Sequence, residues 1–251
     1  MRVSRFSFLA CVFLAVLGTG FAANAADEPK IQALIITGDD VGGHPWKETT
    51  PVTQEILTKS GKFDVTVVEG FSVLEKKENL QKYGVIVWLL YNNKKVPISD
   101  AAKENLLSFV KEGKGFVVSH LASASFPQWK EWGELCGRYW GMGKGSGHGP
   151  RAPFEVKIVA KDNPIMKGLE NFKTDDELYA KLLGDAKINV LAEADSDWSK
   201  KTEPIVWTLE YGKGRVLHHT FGHDGKALAP PSVQKIILRG CQWAATGKVA
   251  E

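Results

Sequence analysis

Cysteine is scarce in this 251-residue chain, which has only Cys11, Cys136 and Cys241. So few cysteines exclude a disulfide-built scaffold, and no C-x-x-C pair is present to found a structural zinc site. Cys241 falls on an apolar helical pattern, so the two downstream thiols are expected to be buried and unpaired. An excess of one charge is also lacking, because the formal net charge is only +3. That removes the electrostatic reason to expect nucleic acid or an anionic membrane as a partner. After residue 25 no apolar run approaches the roughly 20 residues that a membrane-spanning helix needs. Nucleotide signatures are missing as well. The glycine-rich stretch holds no G-x-x-x-x-G-K-[ST], and no G-x-G-x-x-G follows the first strand-like run, so no nucleotide cofactor is expected.

Arg2 and Arg5 precede an apolar stretch at residues 6–17, and Ala23-Asn24-Ala25 follows as an A-x-A cleavage signal. This pattern predicts a signal peptide over residues 1–25, with cleavage after Ala25. A lipoprotein reading through Phe8-Leu9-Ala10-Cys11 fits less well, since the apolar stretch continues past Cys11. Cleavage removes two arginines and no acids, which takes the net charge from +3 to +1. Residues 26–251 are therefore expected to form a single soluble domain that is periplasmic or secreted, with no membrane partner once the signal is removed.

The first half of that domain alternates strand and helix. Runs 31–37, 63–68, 83–90 and 115–119 read as strands, the third uniformly apolar and so central. Thr50 and Pro51 read as the cap and first residue of one helix. Ala102, Leu106, Phe109 and Val110 give the inner face of a second helix. Runs 154–159, 188–194, 204–210 and 215–221 read as further strands, the last two joined by a hairpin turn at Tyr211-Gly212-Lys213-Gly214. Val233, Ile236, Ile237, Cys241 and Ala244 mark a terminal amphipathic helix. The expected fold is α/β: a flavodoxin-like, doubly wound, mainly parallel sheet with helices on both faces and additional strands in the C-terminal half.

Histidines are few, but their placement is informative. His44 follows the first strand, His120 ends the fourth and His223 follows the last, where an open α/β sheet binds its ligands. The first two have a plainer reading. Asp39, Asp40 and His44 also suit a polar turn that caps a helix, and His120 suits a buried ring bonded to backbone. His218 is read as a structural strand residue. Glu177 and Tyr179 lie in the acidic stretch Thr174-Asp175-Asp176-Glu177-Leu178-Tyr179, which is solvated on the plain reading. On the functional one it offers a carboxylate and a phenol to sugar hydroxyls. Glycines alternate from Gly141 to Gly149, as in a loop that covers a site.

Two chemistries fit these residues. His44, His120 and His223, with Glu177, suit a divalent metal, zinc foremost, that activates water or polarises a carbonyl. Alternatively, His120 and His223 act as metal-free acid and base with Glu177 orienting one of them. Trp46 and Trp129 suit stacking on sugar rings, and Asp40 suits hydrogen bonding to hydroxyls.

The order of motifs carries a resemblance. Gly38-Asp39-Asp40-Val41-Gly42-Gly43-His44-Pro45-Trp46-Lys47 comes first, then Val117-Val118-Ser119-His120 and Phe126-Pro127-Gln128-Trp129. Asp176-Glu177-Leu178-Tyr179, Tyr211-Gly212-Lys213-Gly214-Arg215-Val216 and Gly222-His223-Asp224 complete the series. From about Ile31 to Ala245 the chain resembles the ThuA-like (trehalose utilisation) family. The resemblance implies a class I glutamine amidotransferase-like fold and a role in sugar catabolism, on trehalose, related disaccharides or 3-keto sugars. His44, His120, Glu177, Tyr179 and His223 are the matching positions. Amidotransferases need a cysteine at the turn after the central strand, where this chain has Ser119-His120-Leu121, so glutaminase activity is not expected. The expected partner is a small carbohydrate, acted on by hydrolysis, elimination or isomerisation. The rival readings are a non-catalytic carbohydrate-binding protein and an accessory protein of a periplasmic sugar-oxidising system.

Overall fold

Uninterrupted apolar strands bury both faces and so take central places in a sheet. The computed structural model describes Met1 and residues 29–250, so the expected signal peptide lies outside the described residues. In chain order the elements are β1 (Ile31–Thr37), α1 (Trp46–Lys59), β2 (Phe63–Glu69), β3 (Val85–Trp88), α2 (Asp100–Lys111), β4 (Gly115–Ser119) and α3 (Lys130–Cys136). Then follow β5 (Ala152–Ile158), β6 (Phe172–Asp176), β7 (Asn189–Ser196), β8 (Lys201–Tyr211), β9 (Gly214–His219) and α4 (Pro231–Thr246). Every residue of β3 and β4 is buried. None of the helices among the described residues is long and apolar enough to cross a membrane.

The nine strands form one mixed sheet in the order β2-β1-β3-β4-β9-β8-β7-β5-β6. Pairings from β2 through to β9 are parallel; those from β9 out to β6 are antiparallel. The expected doubly wound half with added C-terminal strands is thus the fold observed, and the hairpin closes with Tyr211 opposite Gly214. Strand side chains alternate between two cores. On one face Ala33, Ile35, Val85 and Val87 meet Leu57 of α1 and Ile236 of α4. On the other, Leu34, Ile36, Ile86 and Trp88 meet Leu106 of α2 and Trp132 of α3. Cys136 and Cys241 are buried and unpaired, as expected.

Two local readings are corrected. α1 starts at Trp46, not at Thr50, and Pro51 lies inside it. Backbone N–H groups of the first turn bond to the Pro45 carbonyl. The Thr50 hydroxyl instead meets that of Thr37 at 2.6 Å, pinning the helix to the end of β1. The stretch ending in Asp176 is a strand and not a solvated segment. Its inward residues Thr174 and Asp176 are polar, so no apolar alternation announces it.

Close packing of α4 fixes the parallel half. A Cβ on Gly115 would lie 2.5 Å from the Ala244 carbonyl carbon. Arg215, on β9, donates to the carbonyl oxygens of Trp243, Ala244 and Ala245 at 3.0–3.1 Å. That places a cation on the carbonyls of the last turn of α4.

Asp176 ties the two halves together. Fully buried at the end of β6, it accepts the Glu177 and Gly222 N–H groups at 2.8 Å and the His223 N–H at 3.2 Å. Gly222 sits at φ +127, and a Cβ there would come within 3.2 Å of the Ser119 hydroxyl. Only glycine lets the chain turn so closely past β4.

Two outcomes follow. Gly115→Ala should destabilise the protein by about 2 kcal/mol or more, because the obstacle is backbone rather than a movable side chain. Asp176→Asn turns an amide NH2 toward at least one backbone N–H and should cost about 2–3 kcal/mol. Urea unfolding midpoints test both; a loss under about 0.5 kcal/mol in either variant would contradict the packing or the tie described here.

Candidate metal centre

Parallel strands deliver their side chains at one edge of a sheet, and here four segments beyond strand ends converge. The loop after β1 brings His44, whose N–H bonds to the Val41 carbonyl at 2.9 Å. Gly43, at φ +84, passes close to His223, leaving 3.6 Å between a Cβ built there and the His223 Cε1. His120 follows β4 directly and holds φ at +50. A non-glycine residue there costs roughly 1–2 kcal/mol, so the imidazole is retained against a backbone preference. Its ring stacks on Tyr179 at 4.2 Å between centroids. His223 follows β9, and Glu177 follows β6.

Glu177 is the hub. Its Oε2 lies 3.3 Å from His44 Nε2 and 3.4 Å from His120 Nε2. Its Oε1 lies 3.1 Å from His223 Nδ1 and 3.5 Å from His148 Nε2. None of the first three contacts has hydrogen-bond alignment. His44 Nε2, His120 Nε2, His223 Nδ1 and Glu177 Oε2 are all buried without a hydrogen-bond partner. One donor atom each from His44, His120, Glu177 and His223 lie within 4.8 Å of one another. Four donors each about 2.0–2.1 Å from one ion sit roughly 3.3 Å apart, close to three of the spacings seen here.

The electrostatics agree with that geometry. The Thr220 carbonyl, 2.6 Å from His120 Nδ1, can only accept, so Nδ1 carries the proton. In the neutral ring Nε2 then offers its lone pair to the cluster. Gly149 fixes His148 the same way, with its carbonyl 2.6 Å from Nδ1. Burial alone would raise the Glu177 carboxyl, but His120 and His44, when they turn a proton toward it, hold it well below the usual carboxylate range, and a cation would take the place of those protons. Burial pushes His223 down, against the pull of Glu177, and favours the neutral ring. Neutral imidazoles and an ionised carboxylate are the forms that bind a metal. The residues fit a divalent ion.

The remaining candidate residues fall in different places. Trp46 donates its indole N–H to Asp40 at 3.0 Å, and both sit beside the His44 loop. Tyr179 is fully buried, and burial pushes its phenol well above its usual value, so its ring backs His120 and His148. Trp129 stands apart, stacked on Trp132 at 6.0 Å. His218 and His219 stay in the core; burial pushes both down to about 3, which keeps them neutral. Burial also pushes the Cys241 thiol up to about 12 and Cys136 well above its usual value, so neither is an activated nucleophile.

Three contributors escape the sequence reading. His148 reaches Glu177 from the glycine-rich loop, which the sequence marks as a cover without giving this histidine a role. Asp176 reads as one acid among several. Arg151 pairs with Asp224 at 2.6 Å and Asp175 at 2.7 Å, bracing the residues next to His223 and Asp176. No sequence spacing signals such a pairing.

Comparison with known proteins gives the context. The sequence model of the ThuA family, described as trehalose utilisation, matches residues 32–244. A ThuA-like protein from Parabacteroides merdae is 28% identical over 89% of this chain and 92% of its own, with a TM-score of 0.78. Another, from Bacteroides uniformis, is 19% identical over 92% and 98%, with a TM-score of 0.69. A cytoplasmic protein of Salmonella typhimurium shares the fold at 16% identity, covering 86% of this chain and 99% of its own, with a TM-score of 0.61. No curated protein matches the sequence. The match over nearly all the described residues, carried by a fold that gathers His44, His120, Glu177 and His223, makes this chain a member of the ThuA family, which is linked to trehalose utilisation.

Proposed function

We propose that this chain is an exported protein of carbohydrate catabolism that acts on a disaccharide or keto-sugar at a divalent-metal centre. His44, His120, His223 and Glu177 hold the metal, zinc foremost, since three imidazoles and a carboxylate suit its coordination. The observation that carries the reading is the convergence of four buried donor atoms that lack hydrogen-bond partners. When bound, such an ion polarises a sugar carbonyl or lowers the pKa of a water.

The chain's own groups supply the rest. The Thr220 carbonyl and the Tyr179 ring hold His120 in one tautomer and one plane. Asp40 and Trp46 present a hydrogen-bonding rim beside His44. His148 Nε2 faces Glu177 from outside the four-donor group and is placed to hold a proton near a substrate oxygen. Hydrolysis, elimination and isomerisation all use such a set. The family's link to trehalose utilisation supports a sugar substrate.

The test is elemental analysis of the protein purified without a histidine tag, beside His120→Ala and His223→Ala. Close to one equivalent of metal is expected in the parent and at least a tenfold weaker hold in each variant. No metal in any sample after reloading would overturn the metal centre.

A further inference from the structure

The pocket directly beside His44 and His120 measures about 30 Å³, room for about one water. A sugar needs more. A cavity of about 740 Å³ lies between the chain after β3 and the segment leading into α3, and Tyr91 lines both spaces. That volume falls within the roughly 300–1,000 Å³ typical of small-molecule sites.

Its walls are selective. Trp129, Phe126 and Pro127 form one side, with Val96 and Met142 at the rim. Val96 and Met142 are 49% and 47% exposed, which is unusual for large apolar side chains among the described residues. Trp129 is braced by the stacked, fully buried Trp132, whose indole N–H bonds to the Ser123 carbonyl at 2.9 Å. A preset ring loses little freedom when a ligand packs on it. The rim is also close to neutral. Lys103 and Lys130 pair with Asp100 and Glu134 at 2.9 and 3.1 Å, and Glu131 offsets Lys95. Such a rim suits an uncharged, polyhydroxylated ligand with one apolar face rather than a phosphate. Aromatic contacts link the cavity to the histidines. Met142 Sδ lies 2.9 Å from Trp140 Nε1, Trp140 packs on Tyr179 at 4.4 Å, and Tyr179 stacks on His120.

We infer that this cavity is a distal sugar subsite, in which Trp129 and Met142 hold one ring of a disaccharide while a single reacting group of the other ring, past Tyr91, reaches the small pocket at the histidine cluster. The inference rests on the carbohydrate reading above and narrows it to two-ring substrates. The C–H face of a pyranose packs on an aromatic ring, and its hydroxyls stay at the wet edge.

Calorimetric titration of the purified protein with trehalose and with glucose tests the subsite. The parent should bind trehalose more tightly than glucose. Trp129→Ala should reduce that ratio about tenfold. Met142→Glu, at an exposed position where folding is not at risk, should reduce it several-fold. A ratio unchanged in both variants, with both sugars bound by the parent, would overturn the distal subsite and leave the sugar reading standing. Binding of neither sugar by the parent would overturn both.

Discussion

The candidate site depends on one buried carboxylate. Asp176 accepts three backbone N–H groups, from Glu177, Gly222 and His223, and so joins the end of β6 to the chain leaving β9. β6 is the outermost strand of the antiparallel half, whereas β9 is the last strand of the parallel half. Without that tie, Glu177 and His223 would ride on strands separated by β8, β7 and β5. With it, Glu177 Oε1 and His223 Nδ1 stand 3.1 Å apart. Ion-assisted hydrogen bonds of this kind are about twice as strong as neutral ones, and a buried carboxylate without them would be costly.

Around that anchor the parallel half contributes position and the loops contribute reach. Strand ends fix His44 and His120, and the strained φ of His120 aims its ring at the Thr220 carbonyl and the cluster together. The glycine-rich loop returns through the Gly147–Ala180 bridge to carry His148 inward. A Cβ on Gly147 would lie 2.5 Å from the Trp198 ring, so that ring caps the loop from outside. Burial favours the neutral ring at His223, and protons on His120 and His44, or a cation in their place, favour the ionised Glu177. One environment thus sets both groups in the state a cation requires.

Much of this is legible in the sequence because it follows from apolar pattern. Buried parallel strands read as unbroken apolar runs, so β1, β3 and β4 are found, and with β1 and β4 the histidines that follow them. The α4 stripe of Val233, Ile236, Ile237, Cys241 and Ala244 is equally plain and is buried. What escapes is polar and long-range. β6 turns Thr174 and Asp176 inward, so its period carries no apolar signal. Pro51 suggests a helix start, yet the Pro45 carbonyl already takes the first turn. His148 and Arg151 acquire their roles only through partners far along the chain, at Glu177 and Asp224. The order of motifs is in the sequence and carries the family likeness, but the distances that turn them into one centre are a property of the fold.

The most direct test of the account is anomalous X-ray diffraction from crystals of the metal-loaded protein, recorded on both sides of the zinc edge. The account predicts a single strong peak enclosed by His44 Nε2, His120 Nε2, His223 Nδ1 and a Glu177 oxygen, about 2.0–2.2 Å from each. Density at that position without anomalous signal, with the four side chains hydrogen-bonded through water instead, would contradict it.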